Sequence, residues 1–174
     1  GELEAKKEIK THIHSGIPDI LGIDRLRFAN RKILLVGSGH SAATSLKALQ
    51  KLAQKTSQTK VLWLSRSRQK NLYDIFENDP LPDRDALSRL GNNLATKTPN
   101  WLEYLPGSTV QQITSLPQNN QSVFEVTVKT YSGYRELEID EIISNVGFMP
   151  DNSLYRQLQI HECYATSGPI KLAA

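Results

Sequence analysis

Apolar positions in this chain change period three times, and each change marks an element. Lys32-Ile33-Leu34-Leu35-Val36 is a short apolar run ended by Gly37, which predicts a strand buried on both faces of a parallel sheet. The next stretch, HSAATSLKALQKLAQK, sets Ala42, Ala43, Leu46, Leu49 and Ala53 at helical spacing and Lys47, Gln50, Lys51 and Gln54 on the other side. That predicts one amphipathic helix of about four turns. A polar break at Thr56-Ser57-Gln58-Thr59 precedes a second apolar run, Val61-Leu62-Trp63-Leu64. Strand, glycine turn, helix and strand in this order make a βαβ unit.

Beyond residue 70 the period shortens. Asp79-Pro80-Leu81-Pro82-Asp83 reads as a turn whose last Asp caps the helical stretch RDALSRLGNNLA. After Pro106-Gly107 come three strand-like runs, 109–113, 123–129 and 135–139, the last two joined by the hairpin-type turn Thr130-Tyr131-Ser132-Gly133. Alternation at Phe124, Val126 and Val128 predicts one solvated face. Glu141 to Val146 then returns as a further strand that stops at Gly147. The expected fold class is α/β, a Rossmann-like parallel sheet with helices and an antiparallel β-meander. Residues 1–30, broken at Gly16-Ile17-Pro18-Asp19 and Gly22, read as a connector or edge segment, 31–152 as the Rossmann-like domain, and 153–174 as a C-terminal segment.

Composition narrows the function classes. The 174 residues are 39% hydrophobic and 22% charged, which suits one packed domain rather than two. A formal charge of +3 is too small to indicate nucleic-acid binding, and no apolar stretch is long enough to span a membrane. The N-terminal GELEAKKEIKTHIHSG lacks the apolar core of a secretory signal, and a lone Cys163 fits a reducing cytoplasm. The chain starts at Gly1 without an initiator methionine, so it is expected to be a piece of something longer.

Candidate chemistry gathers at the first turn. Gly37-Ser38-Gly39-His40-Ser41-Ala42 matches the G-x-G-x-x-G/A dinucleotide fingerprint: one glycine for the turn, one for close approach of phosphate, one small residue for helix–strand packing. Free amides at the helix start, with the positive end of its dipole, suit a pyrophosphate. The competing reading is a turn that is merely tight. At the end of the second strand, where an NAD site offers a carboxylate to the ribose 2'-hydroxyl, this chain has Ser65-Arg66-Ser67-Arg68 and then Lys70. Guanidiniums and hydroxyls suit a phosphate monoester, which favours NADP, against the plainer reading of a solvated basic turn. His40 reads as a neutral capping or packing residue before it reads as a phosphate or ribose contact, and Trp63 as core rather than an adenine platform. His12 and His14 share one face of an extended segment without a third metal ligand at a recognisable spacing, and no metal is expected. His161 and Cys163 lie two apart with no orienting partner, so no catalytic residue is assigned there.

Taken together, Ile17-Pro18-Asp19, the Gly37–Ala42 turn, Ser65-Arg66-Ser67-Arg68, the meander, and Asp140-Glu141-Ile142-Ile143 up to Val146-Gly147-Phe148-Met149-Pro150 resemble the NADP-binding domain of two-dinucleotide FAD-dependent oxidoreductases. That group includes thioredoxin-reductase-like enzymes and flavin-containing monooxygenases, and the resemblance spans residues 17–152. It implies that Val146 and Gly147 stand near the dinucleotide and the flavin, although the family's Ala-Thr-Gly-Phe/Tyr-x-Pro signature here lacks its threonine. It also implies that NADPH docks on this chain and FAD on the remainder of the flavoprotein, since only one glycine fingerprint is present. No Cys-x-x-Cys occurs, so the expected branch is monooxygenase-like rather than a disulfide reductase. The alternative is a non-catalytic Rossmann-like module that binds a dinucleotide or another phosphorylated ligand.

Overall fold

Side chains alternate between two cores along the central strands, and this alternation layers the molecule. The computed structural model describes residues 10–69, 71–77, 79–116 and 123–147. Lys70, the Phe148-Met149-Pro150 stretch and the segment 153–174, with His161 and Cys163, lie outside the described residues. In chain order the elements are β1 (Ile13–Ser15), α1 (Arg25–Phe28), β2 (Lys32–Val36), α2 (His40–Ala53), β3 (Lys60–Ser65), α3 (Pro82–Thr96), β4 (Leu102–Pro106), β5 (Thr109–Ser115), β6 (Phe124–Thr130), β7 (Gly133–Ile139) and β8 (Glu141–Ser144). Five strands form a parallel sheet in the order β1-β8-β2-β3-β4, and β5-β6-β7 form a separate antiparallel sheet.

From β2 and β3, Ile33, Leu35 and Trp63 point to one face, where they pack with Leu46, Leu49 and Leu52 of α2 and Leu94 of α3. Leu34 and Leu64 point to the other face and meet Phe124, Val126, Val128 and Ile139 of the meander. Period-two side-chain direction in a strand sandwiched between two layers requires an unbroken apolar run, which is what residues 33–36 supply. Each such fully buried aliphatic side chain contributes roughly 1.5–3 kcal/mol of transfer free energy. The meander itself is one-sided as its alternation predicts, with Phe124, Val126 and Val128 fully buried and Lys129 exposed.

Three local features differ from expectation. Within residues 1–30, read as a connector or edge segment more than a core element, β1 is indeed an edge strand, but Ile20 and Phe28 are core side chains. β4, unmarked by any long apolar run, pairs in parallel with β3 from Val61↔Leu102 to Ser65↔Pro106. Asp83 does not cap α3: the helix begins one residue earlier at Pro82, so Asp83 lies within its first turn. Pro is favoured at the first helical position, where its fixed φ suits the helix and its missing amide would have had no intrahelical partner. Asp79 does the neighbouring work instead, its Oδ1 accepting the Leu81 amide at 2.9 Å while its carboxylate grips Arg84 at 2.7 and 2.8 Å.

Candidate functional site

The strand order reverses direction between β2 and β8. From β2 the chain crosses through α2 to β3 on one side, while β8 lies on the other, so the carboxyl ends of β2 and β8 flank a topological switch point, where open α/β sheets bind ligands. Gly37 stands there. Its φ of +135° is reserved for glycine, and a Cβ at this position would lie 2.2 Å from the Asn145 carbonyl oxygen. Asn145 holds the corner from β8: its amide donates to Val36 O at 2.7 Å, its Nδ2 to Gly16 O at 2.6 Å, and its Oδ1 accepts from the buried Ser45 hydroxyl of α2 at 3.0 Å.

Gly39 differs from Gly37. It is the N-cap of α2 with φ −85° and ψ 178°, a conformation open to any residue, and its side chain would meet nothing within 4 Å. The missing Cβ therefore leaves space rather than relieving strain. No side chain caps the helix, and among the described residues no hydrogen bond takes up the amides of Ser38, Gly39, His40, Ser41 or Ala42. Ala42 is fully buried against the sheet, where a larger side chain would push α2 away. Five consecutive amides beside an open space at a helix N-terminus fit the pyrophosphate of a dinucleotide. The first amides of any helix are left open in this way; the absence of a capping side chain and the space at Gly39 are what would let an anion approach them.

Two buried aromatic side chains hold this turn from beneath. The Trp63 indole donates to Gly37 O at 2.7 Å, and the Tyr73 hydroxyl donates to Gly39 O at 3.2 Å. Burial, and then Tyr104, push the Tyr73 hydroxyl above the ordinary phenol range, so it remains a donor at neutral pH. Tyr73 is itself fixed by α3: Asn92 brackets its amide and carbonyl at 3.0 and 2.8 Å, and its ring fills the space that a Cβ on Gly91 would need, 2.2 Å from Cε2.

The basic segment after β3 divides by role. Ser65 is buried, its hydroxyl donating to Ser67 O at 2.8 Å and lying 2.6 Å from the Tyr104 hydroxyl, so it shapes the turn from within. Arg68 folds over the β4–β5 turn, where a Cβ on Gly107 would meet its Nε at 2.7 Å, and its guanidinium stacks on the Tyr131 ring at 4.9 Å. Arg66 is exposed, and no hydrogen bond or ion pair holds it among the described residues. Because Gly37 N donates to Leu64 O at 2.9 Å, the β3 end that bears Arg66 adjoins the glycine turn. Val146 and Gly147 follow Asn145 at the same edge, both exposed, with Gly147 at φ +107°. His40 turns toward α3 instead, with Nε2 3.2 Å from Ser88 Oγ and its ring edge-on to Tyr73 at 5.6 Å. Ser38 is half-buried and Ser41 exposed at the turn.

His12 and His14 do share one face, and what they share there is a carboxylate. Glu141 accepts from His12 Nδ1 at 2.8 Å and from His14 Nε2 at 2.7 Å. Among the described residues no cluster of His, Cys, Asp and Glu has an arrangement that could hold a metal ion. Asn145, Trp63 and Tyr73 were not singled out as site residues, because their contacts with the turn arise from tertiary placement. The one legible signal was Gly91, a glycine inside a helical stretch, which implies a close neighbour.

No family model and no curated protein matches the sequence. Solved structures do resemble the fold. A bacillithiol disulfide reductase from Bacillus cereus is 18% identical with a TM-score of 0.54, the match covering 83% of this chain and 37% of that one. Thioredoxin reductases from Lactococcus lactis and Giardia duodenalis are each 17% identical, with TM-scores of 0.54 and 0.53, covering 88% and 92% of this chain and 43% and 44% of theirs. The chain thus spans less than half the length of these proteins, and the likeness establishes the Rossmann-like fold. No helix among the described residues is long and apolar enough to cross a membrane.

Proposed function

We propose that this chain is the NADPH-binding domain of a larger FAD-dependent oxidoreductase of monooxygenase-like type. The observation that carries this reading is the row of five partnerless amides, Ser38 to Ala42, beside the open face of Gly39 at the switch point. When bound, the dinucleotide supplies a hydride and FAD, held by parts of the protein outside this chain, accepts it. The amides and the dipole of α2 hold the pyrophosphate. Arg66 pairs with the 2'-phosphate, for which a planar guanidinium is suited. Val146 and Gly147 border the nucleotide path at the end of β8. Within this chain there is a single cysteine and no Cys-x-x-Cys, which motivates the monooxygenase-like reading, and a lone cysteine accords with a cytoplasmic setting.

Titration of the chain with NADPH and NADH tests this reading. The parent is expected to bind NADPH more tightly by about tenfold to a hundredfold, the worth of one or two charge-assisted hydrogen bonds. Arg66→Ala should remove that preference, while Arg68→Ala, whose guanidinium already rests on Tyr131, should change it less. Equal affinity of the parent for the two nucleotides would rule against the assignment.

A further inference from the structure

We infer that Trp63 and Tyr73 are positioning residues that aim the Ser38 and His40 amides at the ligand's pyrophosphate, and that Gly91 of α3 sets the reach of Tyr73. In a trans peptide the carbonyl and the following N–H point to opposite sides of the chain. No cis peptide occurs among the described residues. Trp63 draws the Gly37 carbonyl inward, so the Ser38 N–H points outward; Tyr73 does the same to the Gly39 carbonyl and hence to the His40 N–H. The first helical hydrogen bond, Ala43 N to Gly39 O at 3.2 Å, uses one lone pair of this carbonyl and leaves the other for Tyr73. A glycine turn with φ +135° at Gly37 is free to rotate its peptides when nothing anchors them, and a rotated peptide would face the anion with an oxygen.

The coupling extends beyond the ligand-facing edge. Tyr73 reaches Gly39 only because α3 carries Gly91, where a methyl group would overlap the ring, and because Asn92 fixes the Tyr73 backbone at both its amide and its carbonyl. A residue on α3 thereby sets the direction of a donor on α2.

This inference rests on the nucleotide reading above, and the experiment separates the two. NADPH, NADH and adenosine 2'-monophosphate, which has the 2'-phosphate without a diphosphate, are titrated into the parent chain and into Tyr73→Phe, Trp63→Phe and Gly91→Ala. Each variant is expected to weaken NADPH and NADH by the same factor, about tenfold, and to leave adenosine 2'-monophosphate unchanged. Tyr73→Phe keeps the ring in the core and removes only the hydroxyl, so it decides the matter if Gly91→Ala fails to fold. Unchanged NADPH affinity in Tyr73→Phe and Trp63→Phe, or a parallel loss of the monophosphate, would overturn the inference and leave the nucleotide reading standing. A parent chain that binds none of the three would overturn both.

Discussion

The two ends of the parallel sheet treat polar groups in opposite ways. At the amino end, where β1, β2 and β8 begin, charged groups answer one another. Glu141 takes both imidazoles of His12 and His14, with Arg27 3.6 Å away, and Asp140 closes a reciprocal pair with the Lys32 backbone at 2.7 and 2.8 Å. Among the buried side-chain atoms there only Asp140 Oδ1 lacks a partner, and the exposed Arg31 side chain makes no hydrogen bond or ion pair among the described residues. At the carboxyl end, the five amides from Ser38 to Ala42 and the guanidinium of Arg66 have no such partners. Both ends hold buried aromatic and polar side chains, so burial does not tell them apart. What distinguishes them is whether the donors are satisfied within the chain. Gly39, His40, Ser41 and Arg66 are exposed, so these donors are open to water and within reach of a ligand.

Substitutions at the two ends should therefore separate stability from binding. The largest effect is expected at the junction of the two functions. Gly37→Ala places a methyl 2.2 Å from the Asn145 carbonyl in a backbone conformation unsuited to alanine, a combined cost of about 4 kcal/mol. Denaturant unfolding should show that loss, with nucleotide binding abolished; a variant as stable as the parent would mean that β2 and β8 do not meet closely. Next comes the amino end. Glu141→Ala strips both imidazoles of their acceptor and should lower stability by about 3 kcal/mol, while the NADPH-to-NADH preference stays where it was. A shift in that preference would break the division between the two ends.

The smallest effect concerns a satisfied pair near the open end. Hydrogen bonds from Arg84, then the Leu81 amide, hold the Asp79 carboxyl below its ordinary value. A lowered folded pKa means that this contribution is complete above about pH 4, the unfolded value, and is lost as pH falls through the lower folded one. Melting temperatures at pH 5 and pH 3 should therefore fall further in the parent than in Asp79→Asn. An equal fall in both would remove Asp79 from the acid response.

The glycine turn, α2 and the meander were legible because each rests on neighbours within a few residues: Gly37 and Gly39 two apart, Ala42, Leu46 and Leu49 at helical spacing, Phe124, Val126 and Val128 alternating. β1 and β4 were not, since three and five residues carry too little periodicity to be separated from loop. Asp83 misled because Asp is a common cap, whereas Pro82 before it is itself a favoured first helical residue and already starts the helix. Arg66 and Arg68 looked alike in sequence, and only the Tyr131 ring and the Gly107 turn, which come from other strands, set them apart.

By itself the sequence determined where β2, β3, α2, the meander and the glycine turn lie, since backbone preference and side-chain period act over one or two turns of chain. Tertiary structure alone decided which donors remain open. The groups that turn the Gly37 and Gly39 carbonyls inward come from 26 and 34 residues away, and the Asn145 that braces the corner bonds across 100 residues to Ser45 and 129 to Gly16. Hydrogen-bond satisfaction depends on what packing brings within about 3 Å, and no local pattern encodes that.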